Sequence, residues 1–201
     1  MKPLQFVPPE EAARANLYGL VAQLFYRAPD SHLIAELLQA EDFADDESAL
    51  GARWRELIEA CRAAFPAVLE QEHTDLFVGA GKAEVTPYLS HYVLKHSNDT
   101  PLVALRAQLL EWDISRQQGV PEYEDHITAV CETMRFLIAV QQRSAEDQKL
   151  FFERFLYRGA SAFCDAVSAS PNARFYRSVA RFARTFLDIE REAFEYTASA
   201  S

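Results

Sequence analysis

A short acidic stretch with one histidine is the part of the sequence best suited to chemistry. The stretch VPEYEDHITAVCETMRFLI places four ionisable side chains ahead of an apolar pattern with helical spacing: Glu122, Glu124, Asp125 and His126. Carboxylates and an imidazole can bind a metal, transfer protons or receive a basic partner. Helix chemistry also explains much of the pattern, because Pro121 suits a first helical turn and acidic side chains stabilise the positive end of a helix.

A second candidate constellation is the pair Glu70 and His73. Their ExxH spacing is used in carboxylate-bridged di-iron bundles, where both side chains leave one face of a helix. Such a site needs a second ExxH motif and two further glutamates, whereas residues 122–126 offer a glutamate and a histidine at i, i+4. We therefore predict no metal ligands, and a di-iron or other metal-binding helical bundle stays an alternative.

Other catalytic and cofactor patterns fail on their spacing. The GAGK stretch at 79–82 resembles a phosphate-binding loop, but that motif requires glycine at Leu76 and Ser or Thr at Ala83. No GxSxG motif occurs, and the scattered cysteines and histidines suggest no nucleophile pair. We predict a protein that is not an enzyme and that uses no cofactor.

Aromatic side chains near the same loop are candidates for peptide binding. Tyr88 and Tyr92 follow a loop that contains glycine and proline, and they stand one helical turn apart. This arrangement can line a groove for an extended or helical peptide. These rings, with Phe77 and Trp112, can equally belong to the core. Together with the acidic stretch, they favour a ligand that combines apolar residues with arginines.

Composition limits the partners and the compartment. The chain has 201 residues, of which 49% are hydrophobic, enough to bury one substantial core. Its 30 acidic and 20 basic residues give a net charge of −10, which disfavours nucleic acid and allows basic peptides. The three cysteines are widely spaced and odd in number, so we predict a reducing cytoplasm. No export signal and no membrane-spanning run are expected, which predicts no stable membrane insertion.

Helices must position these residues. Apolar residues recur with helical spacing almost throughout, and convincing period-two alternation is absent, so we predict an all-α fold. A single multi-helix domain is expected over residues 1–201. Its helical portions cover about 10–78 and 101–195, and the region 79–100 joins them.

Caps and breaks place the individual helices. In the first portion, one helix ends at about Arg27, the next is capped by Asp30 or Ser31, and two more lie near 46–63 and 66–77. In the second portion, the first helix starts at Pro101 after a cap at Asp99 or Thr100, ends near Gly119, and buries Leu102, Leu105, Leu109 and Trp112.

The remaining helices follow the acidic stretch. The next helix should bury Ile127, Val130, Met134, Leu137 and Ile138. Ser144 should cap a further helix that Gly159 separates from a short one over 161–169. The closing helix should bury Phe175, Val179, Phe182 and Phe186.

Four blocks of the sequence resemble, in order, the TorD-type chaperones, the redox-enzyme maturation factors that include the DmsD and NarJ groups. HTDLFVGAGK resembles the family's segment ending in LF-x-G, and VTPYLSHY resembles its P-Y-x-S-x-Y block. GVPEYEDHITAVCETM resembles its P-x-D-H block, and FCDAV with ARFYRSVARFARTFLDIE resembles its C-terminal helices. The likeness covers most of the chain, from about Leu17 to Phe194. Leu89 stands where many relatives have glutamate.

This resemblance implies a cytoplasmic chaperone of the TorD-like all-helical type. It would bind the signal or N-terminal peptide of a molybdenum-cofactor oxidoreductase precursor and support cofactor insertion and proofreading before twin-arginine export. The resemblance also allows a monomer or a domain-swapped homodimer, with a hinge in 79–100 or 141–147. The alternatives are a helical adaptor for another protein partner and the metal-binding bundle.

The resemblance also implies which residues contact the client peptide. The P-Y-x-S-x-Y block and the D-H pair are associated with client binding in the family. The expected client-peptide-binding residues are Phe77, Pro87, Tyr88, Ser90, Tyr92, Glu122, Glu124, Asp125 and His126. We further expect Glu122, Asp125 and Glu132, at near-helical spacing, to form an acidic stripe that faces a basic peptide.

Overall fold

Most of the described residues lie in helices. A computed structural model of the protein describes residues 7–41, 43, 47–79, 82–93, 100–115 and 121–199, with side chains up to residue 196. The helices are α1 (Pro9–Tyr26), α2 (Ser31–Gln39), α3 (Ala49–Arg62), α4 (Pro66–His73), α5 (Ser90–Val93), α6 (Pro101–Glu111), α7 (Ile127–Ala139), α8 (Ala145–Phe151), α9 (Tyr157–Ala169) and α10 (Phe175–Ser199). In these ranges no strand forms and the β-pairing is limited to one isolated bridge, which confirms the all-α prediction.

Several helices begin at the residues that the sequence predicts. The Asp30 side chain accepts a hydrogen bond from the Leu33 N–H at 2.9 Å, and Ser144 Oγ accepts one from the Asp147 N–H at 3.2 Å. Each bond satisfies a backbone donor that a helix start leaves unpaired. A π-helical turn, Thr74–Val78, extends α4 to the predicted end of that helix.

The core lies where α1 packs along α7 and where α10 packs against α3 and α9. The predicted apolar faces of α7 and α10 are buried, which confirms them: Ile127, Val130, Met134, Leu137, Ile138, Phe175, Val179, Phe182 and Phe186. These buried faces hold the long helices together. Helices α5 and α7 begin directly after Leu89 and His126, beside the isolated bridge between Tyr88 and His126.

The predicted break at Gly159 is wrong. A π-helical turn, Phe152–Leu156, joins α8 directly to α9, and Gly159 lies inside the helical run. A larger residue does not fit here, because a Cβ at this position would lie 2.7 Å from the Leu89 Cβ and 3.0 Å from the Leu89 oxygen. Gly159 therefore lets the segment around Leu89 approach the backbone of α9.

Helix α6 is shorter than predicted. It ends at Glu111, and Asp113 adopts a left-handed conformation with φ 56° while the Ile114 N–H donates to the Leu109 oxygen at 2.8 Å. Aspartate tolerates this conformation better than most residues. The predicted helix end at Gly119 and the cap at Asp99 fall outside the described residues. Thr100 precedes α6 without a capping side-chain bond.

The predicted buried face of α6 is largely correct. Leu105, Leu109 and Trp112 are buried, whereas Leu102 is only half-buried.

Helix α3 begins at Ala49, three residues after the predicted start, and residue 46 lies outside the described residues.

Candidate functional site

Residues 87–89 and 125–127, which are distant in the sequence, lie side by side. The Leu89 N–H donates to the Asp125 oxygen at 2.8 Å, and the Ile127 N–H donates to the Pro87 oxygen at 2.9 Å. These bonds form an antiparallel bridge between Tyr88 and His126. The structure therefore brings the P-Y-x-S-x-Y block and the D-H pair together in one site.

The bridge moves the start of α7 away from its predicted position. Helix α7 begins at Ile127, so the prediction that Pro121, Glu122, Glu124 and Asp125 lie in its first turn is wrong. The backbone of residues 125–127 is held by residues 87–89, and the His126 N–H donates to the Tyr123 oxygen at 3.0 Å. His126 takes the cap position, where its Nδ1 accepts from the Thr128 N–H at 3.2 Å.

The predicted acidic stripe is also wrong as a helical feature. Of its three members, only Glu132 lies on α7, and its Oε2 is paired with the Arg135 guanidinium at 2.9 Å. Glu122 and Asp125 belong to the turn that precedes the helix, so these two carboxyl groups are positioned by the bridge and not by helical periodicity.

Asp125 is the most deeply buried acidic side chain of the site, with only 5% of its surface exposed. Its Oδ2 accepts a hydrogen bond from the Ser90 hydroxyl. Its Oδ1 is buried and has no hydrogen-bond partner among the described residues. A buried carboxyl oxygen without a donor is costly, so this arrangement is suited to a ligand that supplies one.

His126 does not neutralise the acidic side chains around it. Burial lowers the pKa of His126 to about 4, although the charges of Glu122 and Asp125 act to raise it. The ring is therefore neutral near pH 7. Glu122 adds a second unpaired acceptor, because its Oε2 is buried without a hydrogen-bond partner in the part of the chain that the structure describes.

The rim of the site contains an internal ion pair that no sequence pattern predicts. Glu124 accepts from the Arg106 Nε and Nη2 at 3.0 and 2.9 Å, so this predicted site residue is engaged by the chain itself. The Arg106 guanidinium also lies 5.9 Å from the ring centre of Tyr123, which is 55% exposed. Tyr123 in turn lies 6.0 Å from the Tyr88 ring. Arg106 is 18 residues from Glu124, a separation that no local pattern signals.

Three predicted site residues support the site from the interior. The Tyr92 hydroxyl donates to the Thr86 oxygen at 2.8 Å, and burial raises the pKa of Tyr92 well above its ordinary value. Pro87 is buried beside the bridge, and Phe77 is buried among the rings of Phe25, Phe163 and Tyr176. Tyr88, Ser90 and Glu122 are half-buried and reach the surface.

The ExxH pair is divided between two environments. Glu70 is exposed, whereas the His73 ring packs against Phe77 and Tyr176, with ring centres 5.2 and 5.6 Å away. Burial lowers the pKa of His73. Within the described residues, no group of three or more His, Cys, Asp or Glu side chains is placed to hold a metal ion.

Comparison with solved structures identifies a shared fold. A protein from Archaeoglobus fulgidus described as a redox enzyme maturation protein shares the fold, with a TM-score of 0.55 at 17% identity. The match covers 94% of this chain and 99% of that one. In the described part of the chain, no helix has the length and apolar character needed to cross a membrane.

Comparison with sequences defines the family. A family model described as nitrate reductase delta subunit matches residues 43–165, and the chain belongs to this family. A chaperone protein TorD from Shewanella loihica is 26% identical over an alignment of 203 positions, which covers 92% of this chain and 94% of that protein. This membership confirms the resemblance to the TorD-type chaperones and the prediction that the protein is not an enzyme, because the family consists of non-enzymatic maturation proteins.

Proposed function

We propose that this chaperone binds the signal or N-terminal peptide of a molybdenum-cofactor oxidoreductase precursor, and that an arginine of the peptide pairs with Asp125. In this role it holds the precursor in the cytoplasm while the cofactor is inserted, ahead of export by the twin-arginine route. The observation that carries the proposal is the buried Asp125 Oδ1, which has no donor among the described residues.

The chemistry of the site favours a guanidinium over other cations. Arginine offers several donors in a planar fork and has no acceptor, so it matches a site with unpaired carboxyl oxygens. Asp125 and Glu122 each contribute such an oxygen. The neutral His126 adds no positive charge beside them, and Tyr88 and Tyr123 offer rings over which a guanidinium can stack.

The proposal is tested by the affinity of a synthetic peptide with two adjacent arginines followed by an apolar stretch. We expect Asp125→Asn to weaken the binding of this peptide by about 2 to 5 kcal/mol, because the substitution removes one partner of a desolvated pair. Isothermal titration calorimetry measures the change. Changing both arginines of the peptide to glutamine should weaken binding to the unaltered protein and have little further effect on the Asp125→Asn variant.

Glu132→Gln is the control, because Glu132 lies on α7, outside the bridge, and makes an exposed pair with Arg135. Such a pair is worth only about 0.2 to 1 kcal/mol, so we expect peptide affinity to be unchanged. Equal affinity for the arginine and glutamine peptides would contradict the proposal and favour the helical adaptor. Thermal unfolding of each variant separates a loss of binding from a loss of fold.

A further inference from the structure

Helix α6 exposes an apolar stripe beside the site. We define the α6 stripe as Val103, Ala107 and Leu110, which share one helical face at i, i+4 and i+7. Val103 is 59% exposed and Leu110 is 81% exposed, the largest exposed fraction of any large apolar side chain in the described part of the chain. Single exposed apolar residues are common on protein surfaces, but an aligned set beside a charged site is a candidate interaction surface.

The α6 stripe is continuous with the acidic site. Arg106 lies on the same helical face, and its guanidinium is bound to Glu124 and placed over Tyr123. The Tyr123 ring lies 6.0 Å from the ring of Tyr88, which belongs to the bridge. Since the charge of Arg106 is balanced by Glu124, the surface from the stripe to the bridge combines apolar side chains with the unpaired carboxyl oxygens at its end.

The charge and length of the surface indicate its occupant. From Val103 to Leu110 the stripe is about 10 Å long, at about 1.5 Å per residue, which matches roughly two turns of a helical peptide. Glu111 and Asp113 are exposed at the C-terminal end of α6, which is itself the negative end of the helix dipole. Acidic side chains thus border the stripe both at Glu111 and Asp113 and, beyond Tyr123, at Asp125. A partner that carries cationic residues next to an apolar segment is therefore complementary to this surface.

We infer that the α6 stripe binds the apolar segment that adjoins the arginines of the client peptide. The inference rests on the proposed function and extends it by assigning the apolar part of the ligand to Val103, Ala107 and Leu110. Tyr92 is one of the residues predicted to bind the peptide. However, its hydroxyl donates a hydrogen bond to the Thr86 oxygen and its ring packs against the core. The apolar contact surface therefore lies on α6 and Tyr123.

The test compares two peptides with the same arginine pair, one followed by leucines and one in which serines replace the leucines. The unaltered protein should bind the leucine peptide at least tenfold more tightly. In the double variant Val103→Ser and Leu110→Ser, this preference should fall to within about twofold, while the dependence on the arginines remains. Both substituted side chains are exposed, so circular dichroism and thermal unfolding should be unchanged.

The control is the double variant Phe65→Ser and Val68→Ser, which removes a different exposed apolar pair at the start of α4. It should retain the full leucine preference. A second measurement uses Leu110→Cys, which should form a disulfide with a cysteine placed in the apolar segment of the peptide. Val68→Cys should not form this disulfide.

An unchanged leucine preference in the Val103 and Leu110 variant, with binding still lost in Asp125→Asn, would overturn this inference alone. Failure of the unaltered protein to bind either peptide would overturn the proposed function and the inference together. If light scattering shows a dimer that Leu110→Ser converts to a monomer, a second copy of the chain occupies the stripe, and the assignment to the peptide is wrong.

Discussion

His126 joins two structural roles at a single position. Its Nδ1 caps α7, and its backbone lies in the bridge with Tyr88. The ring is also buried, and burial is the cause of its lowered pKa. The residue that the sequence marks as a candidate for acid–base chemistry therefore serves as a neutral hydrogen-bond acceptor.

Acid should destabilise the protein partly through this ring. The pKa of His126 is lowered from 6.5 to about 4. Above pH 6.5 the ring is neutral in both states, whereas between pH 6.5 and 4 only the unfolded chain takes up the proton. The stability contributed by the neutral ring is therefore present above pH 6.5 and is lost as the pH falls, at up to about 1.4 kcal/mol per pH unit for one proton.

His126→Asn should reduce this pH dependence, because asparagine keeps a capping acceptor and does not titrate. The measurement is the free energy of unfolding in urea at several pH values between 4 and 7. Part of the slope should remain, since burial also lowers the pKa of His73. His32→Asn is the control, because the His32 side chain is exposed and its removal should leave the slope unchanged. An unaltered slope in His126→Asn would contradict the prediction.

At the scale of the elements, Gly159 couples α9 to the site. Gly159→Ala would place a methyl group 2.7 Å from the Leu89 Cβ and 3.0 Å from the Leu89 oxygen. We expect a loss of about 1 to 3 kcal/mol of stability from overpacking. We also expect weaker peptide binding, because the Leu89 N–H holds Asp125 in place. Urea unfolding and peptide titration measure the two effects.

Gly19→Ala provides the comparison, since Gly19 is also inside a helix. Its added methyl group would meet the Cδ of Arg135, which belongs to a flexible exposed side chain that can move. Gly19→Ala should therefore change stability little and leave peptide affinity unaltered. The same result for Gly159→Ala would show that the approach of Leu89 does not position the site.

Helix α10 receives its N-terminal cap from another helix. The buried Glu72 carboxylate accepts from the backbone N–H groups of Arg174 and Tyr176 at 2.8 and 2.9 Å, and from that of Phe175 at 3.3 Å. A carboxylate at a helix N-terminus is stabilised by these donors and by the helix dipole.

Glu72→Ala should therefore lower the free energy of unfolding by about 2 kcal/mol, the upper range for a lost cap. The measurement is chemical denaturation at neutral pH. Glu70→Ala removes an exposed carboxylate from the same helix and should stay within about 0.5 kcal/mol of the unaltered protein. A similar small effect for Glu72→Ala would contradict the capping role.

At the scale of the whole molecule, α10 connects both portions of the chain. Glu190 is buried and accepts from Arg14 at 2.7 and 2.8 Å and from the Tyr18 hydroxyl at 2.9 Å. Arg181 donates to Glu56 at 2.8 Å. These bonds link α10 to α1 and α3, and they supplement its packing against α9.

We therefore expect one cooperative transition in differential scanning calorimetry, with equal calorimetric and van't Hoff enthalpies. Two resolved transitions would contradict the single-domain prediction.

The monomer and the domain-swapped dimer both stay predictions, and light scattering across protein concentration distinguishes them. In the proposed 141–147 hinge, Gln141 donates to the Trp112 oxygen at 2.9 Å, and the Arg143 guanidinium lies 4.8 Å from the Trp112 ring centre.

The sequence by itself determined the features that depend on near neighbours. Asp30 and Ser144 cap the helices that they precede, and the apolar spacing of α7 and α10 identifies their buried faces. These features are predictable because a cap or a helical face involves residues within about four positions of each other. The family blocks also placed Ser90, Asp125 and His126 in one candidate site.

Only the tertiary structure decided how that site is built. The start of α7 depends on bonds between residues 125–127 and 87–89, and the Asp125 carboxylate meets Ser90 from 35 residues away. The pairing of Arg106 with Glu124 and the need for Gly159 likewise arise between separate elements. Such contacts exist only after the helices pack, because a side chain's partners across the fold are set by spatial distance and not by spacing along the chain.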